Sequence, residues 1–250
     1  MVVTALILAC NNTHVEVIQY LCDTFKDTID INKKDKYGRT ALVFTAAHNR
    51  NEKTTQYLCD TFKDTININK QNNDGNTTFM LAAEYNTNVA VIQYLYNILK
   101  GTIDINQQNK DGETAFILAA KNNTNVAVIQ YLYDTFKDKI DINQQNNDDG
   151  YTALMLSVRY NRNKQVTQYL CDTFKDKIDI NKQYKYGRTA LMLAAFESNE
   201  EVIQHLCDTF KDTIDINKQD SNGYTALMIA ACNSNEEVIQ HLCDTFKNTN

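Results

Sequence analysis

Apolar residues recur along the chain in two alternating patterns, one short and dense and one helical. The dense pattern is a run such as TALMLAA at residues 189–195, rich in alanine and suited to close packing against a neighbour. The helical pattern follows a short polar link: Val202, Leu206 and Phe210 recur at i, i+4 and i+8 and form one apolar stripe. The chain therefore predicts pairs of helices, each made of a shorter first helix and a longer second helix.

This helix-pair unit is repeated along the chain with small changes in sequence. Successive copies begin 36, 37, 37, 38, 37 and 36 residues apart. A fixed period of this size is typical of a stacked repeat array, in which neighbours bury the faces that no single copy can hide. The predicted fold class is all-α, a helix-turn-helix repeat solenoid with short turn tips, forming a single domain over residues 1–250 with incomplete first and last repeats. The copies begin near Thr4, Thr40, Thr77, Thr114, Thr152, Thr189 and Thr225.

Local signals mark the ends of the second helix. Glu200 and Glu201 lie in its first turn, where the helix dipole favours acidic residues. Most copies carry an aspartate two residues after the phenylalanine and the third carries Gly101, so this position is expected to adopt left-handed φ. The following TIDIN segment predicts an extended link, and a glycine turn closes the copy. The aspartates at the stop position are Asp27, Asp64, Asp138, Asp176 and Asp212.

Most copies carry, in part or in full, the pattern D-x-x-G-x-T-A-L-x-L-A-A. Residues 111–120 read DGETAFILAA, residues 186–195 read YGRTALMLAA and residues 222–231 read NGYTALMIAA. Together with the helix pairs and the glycine turn, these copies resemble the ankyrin repeat over nearly the whole chain. The resemblance implies an ankyrin-type solenoid that binds a protein partner on a concave face, which the turn tips and the first helices form.

Several departures from the ankyrin pattern change the local expectations. The usual T-P-L-H becomes T-A-L followed by Met, Ile or Val, and the chain contains no proline. Asparagine replaces the usual glycine between the two helices, and it is expected to adopt the left-handed φ there. The period is about three residues longer than the family's, so we expect a longer second helix in which a phenylalanine buries the addition. The asparagines are Asn12, Asn86, Asn123, Asn161, Asn199 and Asn235, and the phenylalanines are Phe25, Phe62, Phe136, Phe174, Phe210 and Phe246.

Charge and hydropathy narrow the possible partners. The net charge of −6 argues against a general binder of nucleic acids or of anionic membranes. No segment approaches the ~20 apolar residues of a transmembrane helix. The N-terminal MVVTALILAC lacks a basic region and its residues 4–10 align with residues 225–231, so we expect a first helix there and not a signal peptide. The expected partner is a protein, with no nucleic acid and no membrane.

Five of the seven cysteines share one repeat column. Equivalent positions in packed helices lie about 10 Å apart, whereas a disulfide requires Cα atoms within about 7 Å. Reduced, buried cysteines are therefore expected, which favours a cytoplasmic or a nuclear protein. His205 and Cys207 point to opposite sides of a helix, as do His241 and Cys243, so no metal or other cofactor is expected. The column cysteines are Cys22, Cys59, Cys171, Cys207 and Cys243.

The positions that vary between copies lie at the turn tips and at the ends of the first helices. No phosphate loop, nucleophile elbow or carboxylate pair stands outside the repeat pattern, so we expect no catalysis. Tyrosine and arginine, which are enriched in binding hot spots, gather at the variable positions. Such an edge would suit a partner segment that carries carboxylates or exposed backbone. The predicted partner-binding residues are Tyr37, Arg39, Tyr151, Arg159, Tyr160, Tyr184, Tyr186, Arg188 and Tyr224.

Two other functions remain open at this point. The chain begins inside a repeat, and its last copy keeps apolar Met228 and Ile229 where a capping repeat would be polar, although a polar KNTN tail follows. The repeats are therefore also compatible with a fragment that serves as the targeting or substrate-recruiting arm of a larger enzyme or adaptor. A structural role through end-to-end association of repeats is the third possibility; otherwise we expect a monomer.

Overall fold

All regular secondary structure is helical in the computed structural model, which describes residues 2–10, 15–48, 51–137 and 139–247. Fourteen helices lie in this part of the chain as consecutive pairs, and no strand occurs within it. The predicted all-α helical repeat solenoid is confirmed. Asn12, Asp138 and the tail residues 248–250, for which the sequence makes local predictions, lie outside the described residues.

The two helices of a pair differ in length. First helices have seven to nine residues, and second helices have ten or eleven. The first helices are α1 (Val2–Cys10), α3 (Ala41–His48), α5 (Thr78–Tyr85), α7 (Ala115–Asn122), α9 (Ala153–Tyr160), α11 (Ala190–Phe196) and α13 (Ala226–Cys232). The second helices are α2 (Val15–Phe25), α4 (Glu52–Thr61), α6 (Val89–Ile98), α8 (Val126–Phe136), α10 (Lys164–Phe174), α12 (Glu200–Phe210) and α14 (Glu236–Phe246).

The chain divides into two compact units. The first contains Met1–Ala119 and Ala127–Ile140, and the second contains Ala120–Val126 and Asp141–Asn250. In the first unit α3 packs on α1 and α5, while α4 packs on α2 and α6. In the second unit α11 packs on α9 and α13, while α12 packs on α10 and α14. Within each unit, like helices therefore stack on like helices; the single domain over residues 1–250 stays a prediction.

A threonine sets the start of the first helix. The Oγ1 of Thr189 accepts a hydrogen bond from the N–H of Met192 at 3.3 Å, which satisfies one of the free donors of the first turn. Residues 190–195 follow, and none of them is more than 3% exposed. Alanine fills three of these six positions and lets neighbouring first helices approach closely. The same cap is formed by Thr77, Thr152 and Thr225.

The second helix follows the predicted stripe. Asn199 caps it by accepting from the N–H of Val202 at 3.3 Å, and the two glutamates lie in the first turn. Val202, Leu206 and Phe210 are buried. The phenylalanine at the end of the second helix is therefore part of the core, as expected. In the described copies Phe62, Phe136, Phe174, Phe210 and Phe246 are buried, and Phe25 is partly buried.

The expectation of left-handed φ at the aspartates that follow the second helix is wrong. Within the described residues, positive φ occurs at glycines and at Ser198 and Ser234, so Gly101 is the one member of this column that has it. In other copies the N–H groups of two successive residues reach back to the carbonyl of the phenylalanine, as Thr213 and Ile214 do to Phe210 at 2.9 and 2.8 Å. This turn stays in the right-handed region and requires no glycine.

The asparagines between the helices also depart from expectation. Asn86 and Asn161 have φ of −84° and −75°, so they do not adopt the left-handed region. Instead the Asn86 side chain donates to the carbonyl of Ala46 in the preceding pair at 2.8 Å. The left-handed residue, where there is one, is Ser198 or Ser234, at φ of 54° and 55°. At these two positions the asparagine contributes side-chain hydrogen bonds, and its backbone is not left-handed.

The TIDIN segment forms a turn, with no strand within the described residues. Ile180 is buried, while the side chain of Asn181 donates to the carbonyl of Thr213 at 2.7 Å and accepts from the N–H of Asp215 at 2.8 Å. One asparagine thus satisfies both a donor and an acceptor of the next copy. In the other copies, Asn32 and Asn143 bind the next copy in the same two-way manner.

The glycine turns are tied to one another through the backbone. Gly187 has a φ of +78°, and the carbonyl just before it, that of Tyr186, accepts from the N–H of Ser221 in the next turn at 3.0 Å. The corresponding bond joins Lys185 to Asp149 at 2.7 Å. The turn tips are therefore held at a fixed spacing by backbone atoms that every residue type except proline provides.

Replacing Gly187 with alanine tests this packing of turns. A Cβ at this position would lie 2.8 Å from the Ser221 nitrogen, in addition to the strain of positive φ. Gly223 also has positive φ, at +82°, but no atom lies within 4 Å of a Cβ there. We expect Gly223→Ala to destabilise by about 1 kcal/mol and Gly187→Ala by at least about 2 kcal/mol in urea denaturation. Equal losses would contradict the close approach of the two turns.

Truncating Phe174 tests the burial at the end of the second helix. Phe174 is 2% exposed and is among the largest fully buried side chains of the described residues. Phe174→Ala is expected to reduce the free energy of unfolding by about 3–5 kcal/mol, because the variant leaves a cavity. Lys175→Ala, at the exposed neighbouring position, should change it by less than about 0.5 kcal/mol. A loss below about 1 kcal/mol for Phe174→Ala would show that the ring is not part of the core.

Candidate functional site

In two copies of the second unit, two variable positions lie side by side in the fold. One is the residue after the turn glycine, and the other lies eight residues later, at the end of the first helix. In the second unit these positions are Tyr151 with Arg159 and Arg188 with Phe196, and both pairs place an arginine over a ring. The end of the first helix and the turn before it therefore bring their variable residues into contact.

The turn that leads into the sixth copy, just before Thr189, departs from the others. In most copies an aspartate or asparagine begins the turn and accepts backbone N–H groups: Asp220, for example, accepts from Asn222 at 2.9 Å and from Tyr224 at 3.0 Å. The sixth copy has Tyr184 at this position, whose ring cannot form these bonds. A local rule broken at one position is a signal of function. The corresponding residues of other copies are Asp35, Asn72, Asn109 and Asn146.

Tyr184 takes part in an aromatic cluster instead. Its ring stacks on Tyr151, with centroids 4.3 Å apart and an interplanar angle of 18°, and it meets Tyr186 edge-on at 5.6 Å. Tyr151 and Tyr184, which we expected at the surface, are 3% and 6% exposed, so this expectation of a surface position is wrong. Tyr186 is 54% exposed and contacts the buried ring of Tyr184.

Arg159 lies between two tyrosine rings. Its Cζ lies 5.6 Å from the centroid of Tyr151 and 5.2 Å from that of Tyr160, and its Nη1 donates to the Tyr151 hydroxyl. Burial opposes the charge, but the surrounding tyrosine hydroxyls and Glu197 favour it and raise the pKa of Arg159. Burial and a hydrogen bond with Tyr184 raise the pKa of Tyr151 as well. The cluster therefore carries the positive charge of Arg159 beside a Tyr151 hydroxyl that keeps its proton.

Arg188 is held differently, because it is paired with an acid. Its Nε lies 3.2 Å from Oδ2 of Asp220, whose side chain is 1% exposed, and its Cζ lies 4.8 Å from the centroid of Phe196. Burial works against the charge of Asp220. The N–H groups of Tyr224 and Asn222 and the Arg188 guanidinium outweigh it, so the pKa of Asp220 lies below its ordinary value. This pair joins the turns of the sixth and seventh copies.

The first unit contains a smaller group of the same kind. The Cζ of Arg39 lies 4.7 Å from the centroid of Tyr37 and 4.5 Å from that of Phe44. Its Nη2 lies 2.8 Å from Oδ2 of Asp35, within the same turn. Tyr37 and Arg39 thus lie in contact within one turn, and the charge of this arginine is compensated.

The second unit brings together most of the other predicted residues. We call the exposed or partly exposed part of this group, Arg159, Tyr160, Tyr186, Arg188 and Phe196, the aromatic–arginine surface. Tyr224 is connected to it through Asp220. Sequence reasoning did not select Phe196 and Asp220 as site residues, although the spacing of eight residues from the turn and the recurring Asp or Asn at the turn start could have identified them.

The cysteines of the described residues all carry free thiols. Burial raises the pKa of Cys171 and of Cys207 to about 12, which makes these thiols poor nucleophiles. Cys243 is exposed, contrary to expectation. α14 packs on α12, but among the described residues no further helix packs on the opposite side of α14. No group of three or more His, Cys, Asp or Glu side chains placed to hold a metal ion occurs among the described residues.

Comparisons with known proteins agree with this architecture. A family model described as ankyrin repeats, three copies, matches residues 3–72, 60–146, 79–184 and 176–250, which together span nearly the whole chain. A search of curated proteins found no match. Within the described residues no helix has both the length and the apolar character needed to cross a bilayer.

The ion pair of Asp220 predicts a loss of stability in acid. Because its folded pKa lies below the ordinary value, the stabilisation is complete above about pH 4 and is lost as the pH falls through the folded pKa. Asp220→Asn keeps an oxygen for the two turn N–H groups but cannot titrate. We expect it to be less stable than the parent by about 1–2 kcal/mol at pH 7, with a difference that shrinks in urea denaturation at about pH 3. A constant difference would contradict the assignment; Asp212→Asn, at an exposed position, is the control.

Proposed function

Because the chain belongs to the ankyrin-repeat family, whose repeats are generally protein–protein interaction modules, we propose that it is a non-catalytic scaffold that binds a protein partner on the concave face of its repeats. The aromatic–arginine surface of the second unit is the proposed contact area. The observation that supports this proposal is the exposure of tyrosine and phenylalanine rings beside arginines. Tyrosine and arginine are enriched in binding hot spots, and aromatic residues in general are enriched in interfaces.

The exposed rings are supported from below. Tyr186 rests edge-on against the buried ring of Tyr184, and its own carbonyl is tied to the next turn by Ser221. Phe196 lies at the end of α11 under the Arg188 guanidinium. Side chains that are already held in place lose less conformational entropy on binding, which favours affinity without a large contact area.

The remaining properties of the proposed scaffold follow from charge and thiol chemistry. The net charge of −6 favours a protein partner over nucleic acid or an anionic membrane. The free, mostly buried cysteines are compatible with the reducing cytoplasm or the nucleus, which we propose as its location. We propose a monomer in the absence of its partner.

Affinity capture followed by binding measurements tests the proposed contact area. Partners captured by the full chain are identified by mass spectrometry, and the dissociation constant of the most abundant one is measured for each variant. Tyr186→Ala combined with Phe196→Ala should weaken binding by about tenfold or more, because truncation of hot-spot residues has effects of this size.

Tyr20→Ala is the matched control, since Tyr20 is 68% exposed on α2 in the other unit. It should change the dissociation constant by less than about twofold. Unchanged binding of the double variant, or an equal loss in the control, would exclude this surface as the main contact. Thermal unfolding of each variant shows whether any loss comes from the fold instead.

A further inference from the structure

We infer that Arg159 is a receptor for one carboxylate, an aspartate or glutamate side chain in an extended segment of the partner protein. This inference rests on the proposed function and deepens it, because it assigns the chemistry that the partner must present. The geometry that points to it is an arginine held over two tyrosine rings with its charge left for a ligand.

The position of the guanidinium is fixed before any ligand arrives. Tyr151 accepts a hydrogen bond from Nη1, and the rings of Tyr151 and Tyr160 lie 5.6 and 5.2 Å from Cζ. Tyr151 is itself fixed by stacking on Tyr184 at 4.3 Å. An arginine that is already oriented loses little rotamer freedom when its remaining N–H groups take a ligand.

The charge of Arg159 is not compensated in the way that the other ring-bound arginines are. Arg39 lies 2.8 Å from Asp35 and Arg188 lies 3.2 Å from Asp220. Arg159 forms no ion pair with the described residues, and only one of its five N–H donors is used by Tyr151. Arg159 of the fifth copy therefore has a charge and N–H donors that a ligand can use, whereas Arg188 of the sixth copy is already paired with Asp220.

The surroundings favour a carboxylate over a phosphate. The fork of one guanidinium matches the two oxygens of one carboxylate. A dianionic phosphate would also meet the field of Glu197, which acts on Arg159, and the overall charge of −6. Lys121, with its Nζ 5.8 Å from the Tyr160 centroid, adds a second positive charge beside the ring. Tyr160 is 45% exposed and offers an apolar face next to the acid.

Selection from a phage-displayed random dodecapeptide library on the full chain provides the probe. We expect the enriched peptides to share an aspartate or glutamate beside an apolar residue. One enriched peptide, labelled with fluorescein, is then titrated against the parent chain and against Arg159→Gln, Arg159→Lys and Arg162→Gln. Arg162 is the matched control, because it is an exposed arginine three residues further along the chain, outside the tyrosine cluster.

Arg159→Gln should weaken binding by about tenfold or more, and Arg159→Lys by less, because lysine keeps the charge and loses the fork. Arg162→Gln should change binding by less than about twofold. Replacing the acidic residue of the peptide with its amide should cause the same loss as Arg159→Gln, and the two changes together should add little further loss, which identifies the contact directly.

Several results would overturn the inference. These are a library that yields no acidic consensus or no binder, a loss no larger for Arg159→Gln than for Arg162→Gln, and additive losses in the double change. A peptide that binds only when its acidic residue is replaced by phosphoserine would also overturn it. If Tyr186→Ala with Phe196→Ala abolishes partner capture while Arg159→Gln binds normally, the proposed function stands and the carboxylate receptor is excluded.

Discussion

Within each of the two compact units of this protein, helix pairs bury their apolar faces against neighbouring pairs, and the rest of the structure depends on that contact. The first helices can approach closely because alanines such as Ala194 and Ala195 occupy the contact face and are fully buried. The second helices add a stripe that ends in a phenylalanine. Polar groups that this stacking would leave unsatisfied are taken up between copies, as Asn181 does for Thr213 and Asp215.

The repeat architecture was predictable because periodicity records which positions face a neighbour. The stripe of Val202, Leu206 and Phe210 is visible without coordinates, and each of these residues is buried. The backbone of the polar links was not predictable in the same way. Asn86 and Asn161 lie at positions where the family's glycine suggests left-handed φ, yet their amides bind carbonyls of the preceding copy. A side chain that reaches another copy leaves no local signal in the sequence.

The candidate site shows the same division. Tyrosine and arginine at variable positions selected the region that we propose as the contact area, but their type did not show which rings are buried. Tyr184 lies at a turn start that elsewhere binds two backbone N–H groups, and it stacks on Tyr151 instead. The charge state of the surface was equally hidden, because it depends on Asp220, which neutralises Arg188 from the next turn and leaves Arg159 different from its neighbour. The burial of a ring or the charge of an arginine in one copy thus depends on a second residue, often in the next copy, and cannot be predicted from a single position.

The main-chain bonds between successive turns have a consequence for how this surface can change. The carbonyl of Tyr186 and the N–H of Ser221 would be present with any residue other than proline at position 221. The fifth copy has an added residue in its turn, yet the N–H of Tyr151 still reaches the side-chain oxygen of Asn146 at 2.7 Å. The length and the sequence of a turn tip can thus change while the hydrogen bonds to the neighbouring turns are kept. Substitutions at the turn tip of one copy can therefore change which partner is bound, while the packed helices that support the tip stay the same.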